Sequence, residues 1–217
     1  MIELLNCDCM DYMKTLEDKA FDLAIVDPPY GINVDRQRLG SGRQTEKWSR
    51  PTKYNYKHFD DSSSPDINYF IELKRVSKNQ IIWGANYFSE MLTPSKGWIV
   101  WDKKVDIKEH LSMCELAWTS FDKKCNKFEF LWAGFKKAVQ EKRIHPTQKP
   151  VKLYDWLLAN YAKEGDRILD THLGSGSSAI AAHYGGFDFV GCELDKDYFE
   201  AAKKRFDEET RQEELCL

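Results

Sequence analysis

Residues 167–195 read RILDTHLGSGSSAIAAHYGGFDFVGCELD. The first four predict a short buried strand ending on Asp170, and Gly174 and Gly176 then lead into a helix over 176–184. A second strand, FDFVGCE (187–193), ends on Glu193, and a helix follows over 196–209. Glycines at the mouth of a helix let a ligand approach the backbone, and ligands of open α/β sheets sit beyond the carboxyl ends of the strands. The G-x-G core alone reads equally as a turn that needs glycine. No lysine follows it, as a Walker loop would require. The acid at the next strand end, about twenty residues on, has the spacing of a carboxylate on ribose hydroxyls. Together the elements favour an adenosine-containing ligand over a structural turn.

The alternation continues outward. IELLN (2–6) predicts a strand, 8–19 a helix with Asp8 near its start, 21–26 a strand, and 66–77 a helix capped by Asp66. QIIWG (80–84), GWIVWD (97–102) and CELAWTSF (114–121) are aromatic and β-branched strand signals, and 150–163 is helical with Pro150 in its first turn. Strands alternating with helices predict an α/β fold with a mainly parallel, doubly wound sheet. The 217 residues, 42% hydrophobic and 31% charged, suit one domain over 1–217. No apolar run is long enough for a membrane span and the N-terminus lacks a signal peptide's pattern, so a cytoplasmic protein without a membrane partner is expected. The six cysteines have no paired spacing; they read as reduced thiols, with no metal site.

FDLAIV (21–26) is followed by DPPYG (27–31). Two prolines cannot continue a sheet ladder, because neither has an N–H to donate. They stiffen the turn and leave carbonyls open to a ligand. Asp27 adds a second acceptor and Tyr30 a face for stacking, so Asp27, Pro28, Pro29 and Tyr30 could hold a planar group bearing an NH₂. Asp8, after the first strand, completes a set of four acids at strand ends with Asp27, Asp170 and Glu193; alone it reads as a helix cap. HPTQKP (145–150) places Thr147 and Lys149 before a helix, where they could hold a carboxylate; alone it is a turn and a cap.

In combination, DPPY, DTHLGSGSS, the acid of GCELD and HPTQKP resemble the S-adenosylmethionine-dependent amino-methyltransferases of DNA. Their order, catalytic segment first and cofactor segment last, resembles the circularly permuted beta group. The resemblance covers roughly residues 2–35 and 80–206 and implies a Rossmann-like methyltransferase fold. It implies S-adenosylmethionine as cofactor. Asp170, His172, Gly174, Ser175 and Gly176 would lie along its methionine part and Glu193 on its ribose. Asp8 and Cys9 would meet its adenine, Thr147 and Lys149 its carboxylate, and Asp27 would border it. Asp27, Pro28, Pro29 and Tyr30 would form the target-base pocket. Thr171-His172 stands where the family usually has Pro-Phe. An aspartate before the prolines suits N6 of adenine, leaving N4 of cytosine, or an idle nucleic-acid-binding module of the same fold, as alternatives. DNA is the implied partner, and the resemblance admits a homodimer and a cognate restriction nuclease.

Charge distribution fits a polyanion partner and, on charge alone, equally fits two solvated lysine-rich loops. Residues 36–58 carry seven Lys/Arg against Glu46, a net +6, and residues 123–149 carry eight against Glu129 and Glu141, again +6. The interval 33–62 has no apolar period. It is expected to be a mobile loop that orders on DNA through Arg36, Arg38, Arg43, Lys47, Arg50 and Lys53; a surface insertion without a role is the alternative. Residues 122–144, with Lys136 and Lys137, are the candidate for a short target-recognition segment.

Overall fold

Four strands, with β1 at the edge, form one end of the main sheet in the computed structural model: β1 (Ile2–Asn6), β2 (Phe21–Val26), β9 (Arg167–Asp170) and β10 (Asp188–Glu193). The structure describes residues 1–32, 61–105, 112–133, 136–137, 141 and 143–211, the side chains of 133, 136 and 137 excepted. The loop expected over 33–62, with the six arginines and lysines named for DNA contact, therefore lies outside the described residues save for its last two positions. β3 (Ser77–Trp83), β4 (Trp98–Asp102), β5 (Cys114–Thr119) and β6 (Asn126–Glu129) complete an eight-stranded sheet in the order β1-β10-β9-β2-β3-β5-β4-β6. A separate antiparallel pair joins β7 (Trp132–Ala133) to β8 (Lys136–Lys137).

The first five strands of that order are parallel, as expected. β5 departs from the pattern, running antiparallel to both β3 and β4. β1 pairs in register with β10, Ile2 opposite Phe189 and Asn6 opposite Glu193. The N-terminus thus supplies the strand that would follow the last helix, which is the permuted arrangement.

Among the described residues, five α-helices cover the two faces. α1 (Cys9–Lys14) and α2 (Ile67–Val76) lie on one, and α3 (Val151–Tyr161), α4 (Ser177–Tyr184) and α5 (Lys196–Thr210) on the other. In α2, Asp66 accepts from the Asn68 and Tyr69 amides, and Tyr69, Phe70, Leu73 and Val76 bury one face. α3 buries Leu153, Tyr154, Leu157, Leu158 and Tyr161 in the same way. α4 is short and made of small residues, so it packs closely against the sheet. β2 and β3 feed both cores: Leu23, Ile25, Ile81 and Trp83 point to one, and Ala24, Val26 and Ile82 to the other.

Two boundaries and one strand depart most from expectation. α1 stops at Lys14 rather than continuing to 19: the Thr15 and Leu16 amides tighten onto the Tyr12 and Met13 carbonyls, and Lys19 then takes a left-handed backbone (φ 59°). β3 begins at Ser77, since α2 passes straight into extended backbone there. β6, from the polar run NKFE, lacks the alternation that reveals a strand.

Candidate active site

Because β1, β10, β9 and β2 are parallel, Asp8, Glu193, Asp170 and Asp27 all lie at one rim of the sheet. The strand order reverses between β9 and β2, where two parallel connections diverge and leave a crevice. The Asp27 turn and the glycine turn stand on either side of it.

On the β9 side, Gly174 and Gly176 take left-handed conformations, φ 53° and 75°, that side chains rarely adopt. A Cβ on Gly174 would meet nothing nearer than 3.8 Å, so the backbone is open to a ligand there. The Gly174 amide donates to Glu193 Oε2 at 2.9 Å and the Asp195 amide to Glu193 Oε1 at 3.0 Å. Burial raises the Glu193 pKa while these amides oppose the rise. Asp170, wholly buried, accepts from the Ser178 hydroxyl (2.6 Å) and the His172 amide (3.0 Å), and burial pushes its carboxyl up to about 7. The His172 ring meets the Thr171 hydroxyl at 2.9 Å, and burial lowers its pKa to about 4. The Ser175 hydroxyl faces that of Ser177. Left-handed glycines, an open backbone and a carboxylate on the next strand fit the ribose and chain of a nucleoside cofactor.

On the β2 side, the Tyr30 hydroxyl donates to Asp27 Oδ1 at 2.7 Å and the Lys149 ammonium to Asp27 Oδ2 at 2.5 Å. Asp61, buried, accepts from the Gly31 amide and fixes the end of the turn. The Tyr30 ring stacks on Tyr87 at 5.1 Å between centroids and packs against Gly84, where a Cβ would come within 2.1 Å of it. Tyr87 itself is 48% exposed.

Lys149 thus faces Asp27 and lies 3.1 Å from Glu115 Oε2, with only 5% of its side chain exposed. Lys103 meets the other Glu115 oxygen at 2.5 Å. Burial disfavours the Lys149 ammonium, but Asp27 and Glu115 together hold its pKa above the ordinary lysine value. Burial also disfavours the Glu115 carboxylate, yet Lys149 and Lys103 draw it down to about 2. Asp27 goes up: burial raises it, Lys149 opposes, and Glu115 adds to the rise.

The remaining expected residues fall around this centre. Thr147 bonds the His145 ring, whose face meets Tyr198 of α5 edge-on at 4.4 Å between centroids. Asp8 caps α1 by accepting from the Met10 amide, and Cys9 is the first residue of that helix. Burial pushes the Cys9 thiol up to about 12, keeping it protonated. Of the segment 122–144, β6 joins the main sheet and the Trp132 indole, buried, bonds the Gln148 carbonyl. Lys136 and Lys137 are placed as backbone in β8.

Sequence reasoning missed Glu115, Lys103 and Arg205. Arg205 is 3% exposed; it bonds the Ser175 carbonyl (3.1 Å), the Ser177 hydroxyl (2.9 Å), Glu141 (2.9 Å) and Glu209 (2.7 Å). Its only signal was an arginine aligned with Tyr198 and Ala202 on the apolar side of a polar helix. Among the described residues, no group of three or more His, Cys, Asp or Glu could hold a metal ion, and no helix is long and apolar enough to cross a membrane.

Comparison with known proteins adds the family. A family model described as DNA methylase matches residues 21–204. The Type II methyltransferase M2.DpnII of Streptococcus pneumoniae is 39% identical over 93 residues, which are 42% of this chain and 30% of that protein. This chain therefore spans less than a third of that relative. M2.MboI of Moraxella bovis, another Type II methyltransferase, is 25% identical over 238 residues, covering 94% of this chain and 86% of that one. Among solved structures, M1.HpyAVI in its SAM complex is similar with a TM-score of 0.59 at 21% identity, covering 94% of this chain and 100% of that one. The cytosine-N4-specific PvuII DNA methyltransferase reaches 0.62 at 11% identity, covering 94% and 86%. At these identities the structural likeness identifies the fold.

Proposed function

The chain belongs to the N6/N4 DNA methylase family, and on that premise we propose that it methylates N6 of adenine in DNA, with S-adenosylmethionine as the methyl donor. The observation that carries the proposal is the Asp27 carboxylate, held by Tyr30 and Lys149 across the crevice from the glycine turn. Bound in that turn, the cofactor would supply a sulfonium methyl group. Glu193 would accept its ribose hydroxyls, and the open backbone at Gly174 would admit its chain.

An exocyclic base nitrogen is a poor nucleophile because its lone pair is delocalised into the ring. Asp27 and the Pro28 carbonyl would accept its two N–H bonds and favour a more pyramidal nitrogen, whose lone pair then points at the methyl group. Each Asp27 oxygen accepts one hydrogen bond already, and an ionised carboxylate oxygen has two lone pairs, so one position per oxygen is left for the amine. The amine lies inside a stacked duplex and must be turned out, at a cost of a few kcal/mol. Tyr30 and the exposed Tyr87 form the aromatic surface that would receive it.

Unmethylated DNA incubated with labelled S-adenosylmethionine should yield N6-methyladenine by mass spectrometry of its nucleosides. Asp27→Ala should slow transfer by about ten- to a thousandfold while cofactor binding survives. The likeness to a cytosine-N4-specific structure supports a second reading, which N4-methylcytosine as sole product would establish. Cofactor binding with no methylated base would leave a binding module.

A further inference from the structure

We propose that Glu115, at the start of β5, is a positioning residue that acts through Lys149 to keep Asp27 an effective acceptor for the target amine; this rests on the function proposed above. Because β5 runs antiparallel to β3, its first residues arrive at the same rim as the last residues of β2 and β3. Lys103, one residue past the end of β4, arrives there too. The result is a line of alternating charge: Lys103, Glu115, Lys149, Asp27. It sums to zero, so a neutral amine can join it without meeting an unpaired charge.

A buried ammonium with one carboxylate partner would draw its charge compensation from that partner, since the only other hydrogen-bond acceptor of Lys149 among the described residues is the neutral Tyr30 hydroxyl at 3.3 Å. Asp27 would then be a weaker acceptor, since an N–H bond to a carboxylate is strongest where the negative charge is least spent. It would also be open to Lys149 occupying the lone pairs the amine needs. Glu115 prevents both by taking a share of Lys149 and holding it to one side. Other groups facing Asp27 do not substitute for it. Tyr69 of α2 and Tyr154 of α3 are held neutral by burial, Tyr30 is likewise neutral, and Asp170 is engaged by the Ser178 hydroxyl and the His172 amide rather than by Lys149.

The test follows Asp27 itself, by carboxyl carbon NMR across pH, with Asp27→Asn to assign the signal. Glu115→Gln removes a like charge, so Asp27 should titrate at lower pH. Lys103→Met leaves Glu115 less neutralised, so Asp27 should titrate at higher pH. General damage to the fold does not predict opposite shifts, and either variant alone decides if the other fails to fold. In methyl transfer, Glu115→Gln should lower kcat by about tenfold with little change in KM, and move the acid limb of the profile to lower pH. Glu115→Asp should restore most of the rate. If the folded variants leave the Asp27 titration where the parent has it, the inference is overturned whatever the rate does. A parent with no methyl transfer at all would refute the proposed function instead, and the titration would still decide the network.

Discussion

Replacing Arg205 with Met removes a buried cation from the packing between α5, the glycine turn and residue 141. Arg205 is 3% exposed and Glu141 9%, so their 2.9 Å pair is a buried one. Breaking such a pair by removing one partner costs about 3–5 kcal/mol, because the other charge stays buried with its cation gone; Glu141 keeps the Val151 amide at 3.2 Å, which places the cost toward the lower end. Arg205 also holds the Ser175 carbonyl and the Ser177 hydroxyl, and Ser177 in turn donates to the Lys149 carbonyl at 2.8 Å. The loss therefore reaches both sides of the crevice. For a domain of this size, 1 kcal/mol corresponds to about 2–4 °C in Tm, so Arg205→Met should melt about 10 °C below the parent. Urea unfolding gives the free energy, and calorimetry with S-adenosylmethionine should show weaker binding. Arg205→Met with Glu141→Gln, which removes both charges, should recover about 1–2 kcal/mol of the loss. A single variant within about 1 kcal/mol of the parent, or a double variant no better than the single, would refute the buried-pair reasoning.

Gly84→Ala should displace the Tyr30 ring, because the added Cβ would fall 2.1 Å from it at a left-handed position (φ 68°). Its near-ultraviolet circular dichroism should change and transfer should fall, with the Glu193 side of the crevice untouched; unchanged spectra and rate would contradict the packing. Asp170 and His172 predict opposite pH slopes in stability. The Asp170 carboxyl, near 7 in the fold, loses its contribution as pH rises from about 4 through 7, whereas His172, near 4 in the fold, costs stability as pH falls below about 6.5. Thermal melts from pH 4.5 to 8.5 should show Asp170→Asn gaining on the parent at the alkaline end and His172→Asn at the acid end; parallel curves would refute both assignments. Replacing Arg43, Lys47, Arg50 and Lys53 with Ala should reduce the slope of log affinity against log salt on duplex DNA by about 0.9 for each phosphate no longer neutralised. An unaltered slope would move DNA binding away from residues 36–58.

What the sequence determined by itself was local. Strands with apolar runs, a helix with Asp66 at its cap, and glycines at 174 and 176 depend on neighbours a few residues apart, and their periods are visible in the chain. Four acids at strand ends were legible for the same reason, and parallel pairing put them at one rim. Tertiary structure decided what each side chain faces. Lys149 and Asp27 are 122 residues apart, and nothing local to HPTQKP aims its lysine at the DPPY turn. Glu115 reads as one polar residue in an ordinary strand until β5 enters antiparallel between β3 and β4, a pairing that hydrophobic alternation leaves undetermined because it is the same in either direction. Arg205 likewise lies in a helix that is charged almost throughout; only the packing of α5 against the glycine turn makes one of those charges interior. Local periodicity sets which elements form, whereas the partner of a buried charge depends on how strands far apart in sequence are ordered.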